Sequence, residues 1–321
     1  MMFYKTILVP LDGSERAEVI LPHVENLASH KQARVVFTQV VEPTKRSFVL
    51  DPHAPPRYQY NTAQGEQAHD YLTQMVDRFE AKGIVAGMIL MWGPPLDGIT
   101  QAAEESNADL IAMSSKGRTG LKQVVYGSVA AGVLNRVKRP LLMVHQESTP
   151  EQESNNQILV ALDGSKHAEA VLPHVKSIAR LYDGMVTLVR VVHTVYQTAV
   201  LYEVDQVDEA NSHEKPAATQ SKGSEMKTLS REQEAERFEQ ARDYLIQKRA
   251  QLQAKGINTQ AMLLQGRPVE AIVYAAQSVD ANLIAMTSHG HSGLAQVFYG
   301  SVSSGVLNRT KRPLLLVRPK L

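Results

Sequence analysis

A chain of 321 residues with 34 Lys+Arg against 33 Asp+Glu has no overall charge with which to seek a nucleic-acid backbone or an anionic membrane. Its 43% hydrophobic and 21% charged residues are those of a globular chain, and the absence of cysteine excludes disulfide and thiolate chemistry. The length predicts two domains of about 150 residues, each large enough for its own core.

The first residues, "MMFYKTILVPLDGS", read as a strand and a turn, without the basic flank and apolar core of a targeting peptide. No apolar run reaches the roughly 20 residues of a membrane helix, so the expected compartment is the cytoplasm. Ile7 to Pro10 is the first strand. In "SERAEVILPHVENLA", Ala17, Ile20, Leu21, Val24, Leu27 and Ala28 form one helical stripe, which Pro22 should kink or break. "RVVFTQVV" is the second strand, and "EQAHDYLTQMVDRFEAKG" a helix with Gly83 at its stop. A third strand, "GMILMW", leads through Gly93 and Pro94 to a helix near "LDGITQAAEESN". The fourth strand, "DLIAMS", enters "SSKGRTGLKQVVYGS", and the helix "SVAAGVLNRV" and strand "PLLMV" follow.

The same order then returns. "KTILVPLDGSERAEVILPHVENLA" from Lys5 pairs with "NQILVALDGSKHAEAVLPHVKSIA" from Asn156, and the glycine-spaced loop returns as "TSHGHSGLAQVFYGS". Similarity this dense over a domain length means tandem duplication. The expected boundaries are residues 1–147, a polar linker at 148–156, and 157–321. Pro173 should interrupt its helix as Pro22 does. The halves diverge after the second strand, where residues 196–236, rich in Ser, Lys and Glu, read as a mobile surface loop, helical near "LSREQEAERFEQ".

Strands alternating with helices imply a parallel sheet covered on both faces, so the fold class is α/β, with two tandem doubly wound, Rossmann-like domains. In such sheets ligands settle outside the carboxyl ends of the strands, where the winding reverses. "VPLDGS" and the glycine-spaced loop converge there if the first and fourth strands flank the reversal. Gly117 and Gly120 permit close backbone approach, and Gly127 with Ser128 opens a helix whose free N–H groups suit an anion. Asp12 and Ser14 equally fit plain helix capping.

Both halves resemble universal stress protein domains. In the nucleotide-binding branch of that family the signature is Gly, two residues, Gly, nine residues, then Gly-Ser or Gly-Thr. Gly117 with Gly127-Ser128, and Gly290 with Gly300-Ser301, match it, while Ser114 and Thr287 stand in the place of the first glycine. The resemblance implies five parallel strands per domain and pairing through the last strands, "PLLMV" and "PLLLV". It also implies an adenine nucleotide, ATP above all, with Mg²⁺ arriving on its phosphates. Asp12 and Asp163 would then meet the ribose or adenine end, and Val41 and Val192 would offer backbone groups to the adenine edge. Gly117, Gly127, Ser128 and Val129, with Gly290, Gly300, Ser301 and Val302, would hold phosphates. A homodimer of such pairs is the expected assembly, without nucleic acid or membrane.

The two sites should differ. The first carries Pro10, Lys116 and Arg118, the second Ala161, His289 and His291, so the first should hold ATP more tightly and the second should respond to pH. No protein-only metal site is expected from the two histidines. Neither half offers a nucleophile with a base and an orienting partner, so the expectation is a nucleotide-dependent sensor or regulator. Slow ATP hydrolysis or phosphotransfer assisted by Lys116 and Arg118, and a nucleotide-free interaction module, are the rival readings.

Overall fold

The computed structural model describes residues 4–29, 33–42, 45–47, 57–59, 62–115, 127–145, 156–193, 200–203, 224–288 and 300–318. The chain divides into two units: Met1–Gln152 with Ala295–Tyr299 and Thr310–Leu321, and Glu153–Leu294 with Gly300–Arg309.

The first unit begins with β1 (Thr6–Pro10), α1 (Glu15–Glu18), α2 (Leu21–Ser29) and β2 (Arg34–Val41). A small antiparallel hairpin, β3 (Lys45–Ser47) with β4 (Arg57–Gln59), precedes α3 (Thr62–Glu80). Then come β5 (Ala86–Trp92), α4 (Pro95–Glu105), β6 (Leu110–Ser114), α5 (Ser128–Arg136) and β7 (Leu141–Val144). The five main strands are parallel in the order β5-β2-β1-β6-β7. Because helices cover both faces, the strands are apolar throughout: Ile7, Leu8, Val9, Leu110, Ile111 and Ala112 are fully enclosed. The stripe Ala68, Leu72, Met75 and Phe79 turns α3 onto this sheet, where Phe79 meets Phe37 edge to face at 4.8 Å.

The second unit repeats the plan with β8 (Gln157–Ala161), a 3₁₀ turn at Ala168–Val171, α6 (Leu172–Tyr182) and β9 (Met185–His193). It continues through β10 (Val200–Glu203), α7 (Ser224–Gln253), β11 (Thr259–Gly266), α8 (Pro268–Ser278), β12 (Leu283–Thr287) and α9 (Ser301–Arg309). Its strand order is β10-β11-β9-β8-β12, parallel except for β10. The last strand of the chain, β13 (Leu314–Val317), groups with the first unit and runs antiparallel to β7, with Leu315 opposite Leu142. The strands "PLLMV" and "PLLLV" thus pair with each other.

Proline breaks the first helix of each repeat. Lacking an N–H, Pro22 cannot bond back into the preceding turn, and α1 ends before α2 begins at Leu21. Pro173 sits in the first turn of α6, and the residues before it take the tighter 3₁₀ form. The stretch 196–236, expected as surface loop, contains ordered structure at both ends: β10 is hydrogen-bonded along the edge of β11, and α7 starts at Ser224. Ala241, Leu245 and Leu252 bury one side of α7, as Ala68, Leu72 and Phe79 do for α3, and the helix runs on toward its N-terminus through residues of high helix propensity.

Candidate functional site

In both units the first strand lies between the second and the fourth. β1 pairs with β2 on one side and β6 on the other, and β8 likewise lies between β9 and β12. The winding therefore reverses between β1 and β6, and between β8 and β12, and the carboxyl ends of these strands are where open α/β sheets take their ligands. Pro10, Asp12 and Ser114 come together at the first reversal, and Asp163 and Thr287 at the second. Short hydrogen bonds from neighbouring segments fix each start: Asp109 accepts from the amides of Lys5 and Thr6 (2.8 and 3.1 Å), and Asn282 accepts from that of Gln157 (2.9 Å).

The turn after the first strand is built the same way twice. Asp12 Oδ1 accepts from the Ser14 amide at 3.0 Å and from the Ser14 hydroxyl at 2.6 Å, while Ser14 Oγ accepts from the Ala17 amide and caps α1. Asp163 Oδ1 accepts from the Ser165 amide at 2.8 Å, and Ser165 Oγ from that of Ala168 at 3.0 Å. Gly13 and Gly164 make the turn possible with φ of 77° and 88°. The capping reading of Asp12 and Ser14 is thus realised. One carboxylate oxygen is committed to the turn in each case, which fixes the orientation of the carboxyl group.

The other wall is the start of α5. The Gly127 amide donates to the Ser115 carbonyl at 2.8 Å, and Gly300 donates to Ser288 at 2.9 Å, so neither glycine presents its own N–H outward. These bonds pin the helix start to the end of β6 or β12. Gly127 is the N-cap of α5 and has no side-chain cap, so the amides of Ser128 and Val129 lie in the first turn, where no helical carbonyl can reach them. Ser128 and Ser301 are exposed, and Val129 and Val302 partly so. Arg136 pairs with Asp97, and Arg309 with Glu270 at 2.5 Å, tying each of these helices to its neighbour. Lys116, Gly117, Arg118, His289, Gly290 and His291 lie outside the described residues.

Val41 and Val192 end up buried near the ends of β2 and β9. The Val41 carbonyl accepts from the Gly93 amide at 3.1 Å, which leaves one lone pair of that oxygen for any other donor. Two residues earlier, Gln39 encloses its Oε1 atom without a partner among the described residues. Ser114 and Thr287, standing in the place of the first signature glycine, are buried. Among the described residues, no group of three or more His, Cys, Asp or Glu is gathered to hold a metal.

Sequence reasoning missed one charged group at the second site, Arg190 on β9. Its guanidinium packs on the Gly164 turn, and a Cβ built on Gly164 would lie 2.8 Å from Cζ and Nη2. The same group lies over the Tyr244 ring at 5.1 Å, and Lys248 approaches that ring at 5.4 Å. Glu169 completes the cluster, accepting from Tyr244 at 3.3 Å and pairing with Lys248 at 2.8 Å. Burial lowers the pKa of Arg190, while the nearby Tyr244 and Asp163 act the other way. No local pattern flags an arginine inside an apolar strand. Its role emerges from strand register: Ala161 faces Val189, which places Arg190 beyond the end of β8.

Two doubly wound α/β units, each with an aspartate turn and a glycine-led helix start at the strand ends beside a switch point, define a tandem α/β protein. The chain belongs to the universal stress protein family, whose model matches residues 3–145 and again 154–318. Universal stress protein MJ0577 of Methanocaldococcus jannaschii is 29% identical over 160 residues, which is 46% of this chain and 99% of that protein. A universal stress protein of Mycolicibacterium smegmatis is similar end to end, at 20% identity over 317 residues, covering 98% of this chain and 97% of that one. The crystal structure of a universal stress protein from Archaeoglobus fulgidus shares the fold, with a TM-score of 0.67 at 23% identity, covering 98% of each chain. Among the described residues, no helix is long and apolar enough to cross a membrane.

Proposed function

We infer that the chain binds an adenine nucleotide, ATP foremost, at the carboxyl edge of the first unit's sheet and acts as a nucleotide-dependent sensor or regulator of a stress response. What carries this reading is the pairing of the uncapped first turn of α5 with the oriented Asp12 carboxylate across the β1–β6 reversal. A helix start with free amides and a positive dipole end stabilises a phosphate tail. An aspartate held by its own turn suits a ribose hydroxyl, which donates to a carboxylate. The family resemblance gives Asp12 the ribose or adenine end, Val41 the adenine edge and Gly117, Gly127, Ser128 and Val129 the phosphates, adds Lys116 and Arg118 beside them, and brings Mg²⁺ in with the phosphates.

Calorimetric titration of the full chain with ATP, ADP, AMP and GTP tests the reading. Saturable binding of ATP that weakens with added salt, without comparable GTP binding, is expected. A flat heat trace for every adenine nucleotide would remove the reading and leave only the architecture.

A further inference from the structure

The repeats are unequal at one position that the register makes equivalent. Pro10 faces Thr38 and Ala161 faces Val189, so the next residues, Gln39 on β2 and Arg190 on β9, occupy the same place in their units. Gln39 is short and uncharged, and its buried Oε1 has no partner among the described residues. Arg190 is long, cationic and already engaged: its guanidinium lies on Gly164, and the Tyr244 ring lies 5.1 Å from its Cζ. The Tyr244 hydroxyl in turn donates to Glu169, which pairs with Lys248 near the same ring.

We propose that Arg190 is a built-in plug that closes the second unit's crevice to nucleotides, leaving the first unit as the one nucleotide site of the chain. This rests on the adenine-nucleotide reading of the crevice given above. A guanidinium pressed on the Gly164 turn takes up room beside Asp163, whereas the equivalent residue of the first unit, Gln39, is shorter and uncharged. Its positive charge also acts on the nearby Asp163 carboxylate and competes with a hydroxyl donor for that group. Entry of a nucleotide would require the guanidinium to leave both the aromatic face and the aspartate, and only the ligand's own contacts could offset that loss.

The plug differs in kind from a merely weaker site. It predicts that removing a positive charge improves the binding of a polyanion, which is opposite to the effect expected of a phosphate-binding arginine.

The test is the stoichiometry and affinity of ATP on the full chain by calorimetry, for the native protein, Arg190→Gln, Arg190→Ala and the reciprocal Gln39→Arg, with near-ultraviolet circular dichroism confirming that each is folded. Glutamine is a natural choice because the first unit carries it at this place. The native chain should take up one ATP, and both Arg190 variants should acquire a second site at least about tenfold tighter than any residual second binding of the native chain. Gln39→Arg should lose the first site. Two sites on the native chain, or folded Arg190 variants that gain none or bind more weakly, overturn the plug. The first-unit reading fails separately: native protein that binds nothing while Arg190→Gln binds one ATP keeps the plug and discards that reading.

Discussion

The Tyr71 hydroxyl donates to Glu18 Oε1 at 2.9 Å, joining α3 to α1 beside the Asp12 turn, and the second repeat reproduces the bond between Tyr244 and Glu169 at 3.3 Å. Burial and then the Glu18 bond push the Tyr71 phenol well above its ordinary value, and burial together with Glu169 does the same to Tyr244. Tyr71→Phe should therefore lower stability by about 1 kcal/mol at neutral pH, read as a lower urea midpoint at unchanged slope. The sign with pH follows from linkage. A phenol whose folded pKa is raised contributes fully below about pH 10, and its contribution disappears as pH rises above that, because the unfolded chain ionises first. Tyr71→Phe should accordingly show a shallower loss of stability between pH 9 and 11. An identical alkaline profile would refute this account.

His23 gives the acid side its own signature. On α2 its Nε2 is enclosed without a partner among the described residues, and burial lowers its pKa from 6.5 to about 4. The folded chain then resists protonation while the unfolded chain accepts it at the ordinary value. Stability is fully present above pH 6.5 and is lost as pH falls toward 4, by up to about 2 kcal/mol at pH 5. His23→Leu should flatten that part of the curve, as measured by urea unfolding at pH 7 and pH 5. Parallel curves for the two proteins would show that the histidine is not the source.

Glycines on α5 and α9 set how closely these helices approach their neighbours, with unequal tolerance. A Cβ on Gly132 would lie 2.9 Å from Leu96 Cδ2, the end of a flexible side chain, whereas one on Gly305 would lie 2.6 and 3.0 Å from the two methyls of Val269. Valine is stiff at χ1 and cannot swing aside without moving its backbone. Gly132→Ala should change stability by less than about 1 kcal/mol, helix propensity offsetting the crowding, while Gly305→Ala should cost about 1–3 kcal/mol. Melting temperatures of the two variants, compared in one buffer, decide the order; a reversal would mean that α9 relaxes more easily than α5.

Much of this fold is written in local pattern. β2 spans the run "RVVFTQVV" because every residue of that run is either buried or in the ladder, and Gly83, with φ of 75°, stands just past the last turn of α3. The Asp12–Ser14 turn was legible too, since both its residues act on backbone within a few positions. What escaped was decided by tertiary contact. β10 is only four residues long and is a strand because β11 offers it an edge. α7 starts at Ser224, ahead of the stretch from Leu229 to Gln240 read as helical, and the mixed run Ser-Glu-Met-Lys-Thr at its start gives no clear local signal. Arg190 lies far along the chain from Glu169 and Tyr244, and only the β8–β9 register and the docking of α7 bring the three together.

The backbone itself can be tested at the candidate phosphate site. Ser128 is the first residue of α5, and the Gly127 before it has φ of −69° and ψ of 154°, an extended conformation that tolerates a following proline. Proline is favoured at a first helical position, where the missing N–H has no helical partner to lose. Ser128→Pro should thus leave stability within about 1 kcal/mol of the native protein, yet delete one amide aimed at the crevice. Ser128→Ala removes the hydroxyl and keeps the amide, so the difference between the two variants isolates the backbone donor. Hydrogen bonds to charged groups contribute about 1.5–3 kcal/mol, so Ser128→Pro should bind ATP roughly tenfold or more weakly than Ser128→Ala, measured by calorimetry on the full chain. Equal affinities would mean that the first turn of α5 does not face the phosphates, and the anion would have to be held by the residues between β6 and α5 instead.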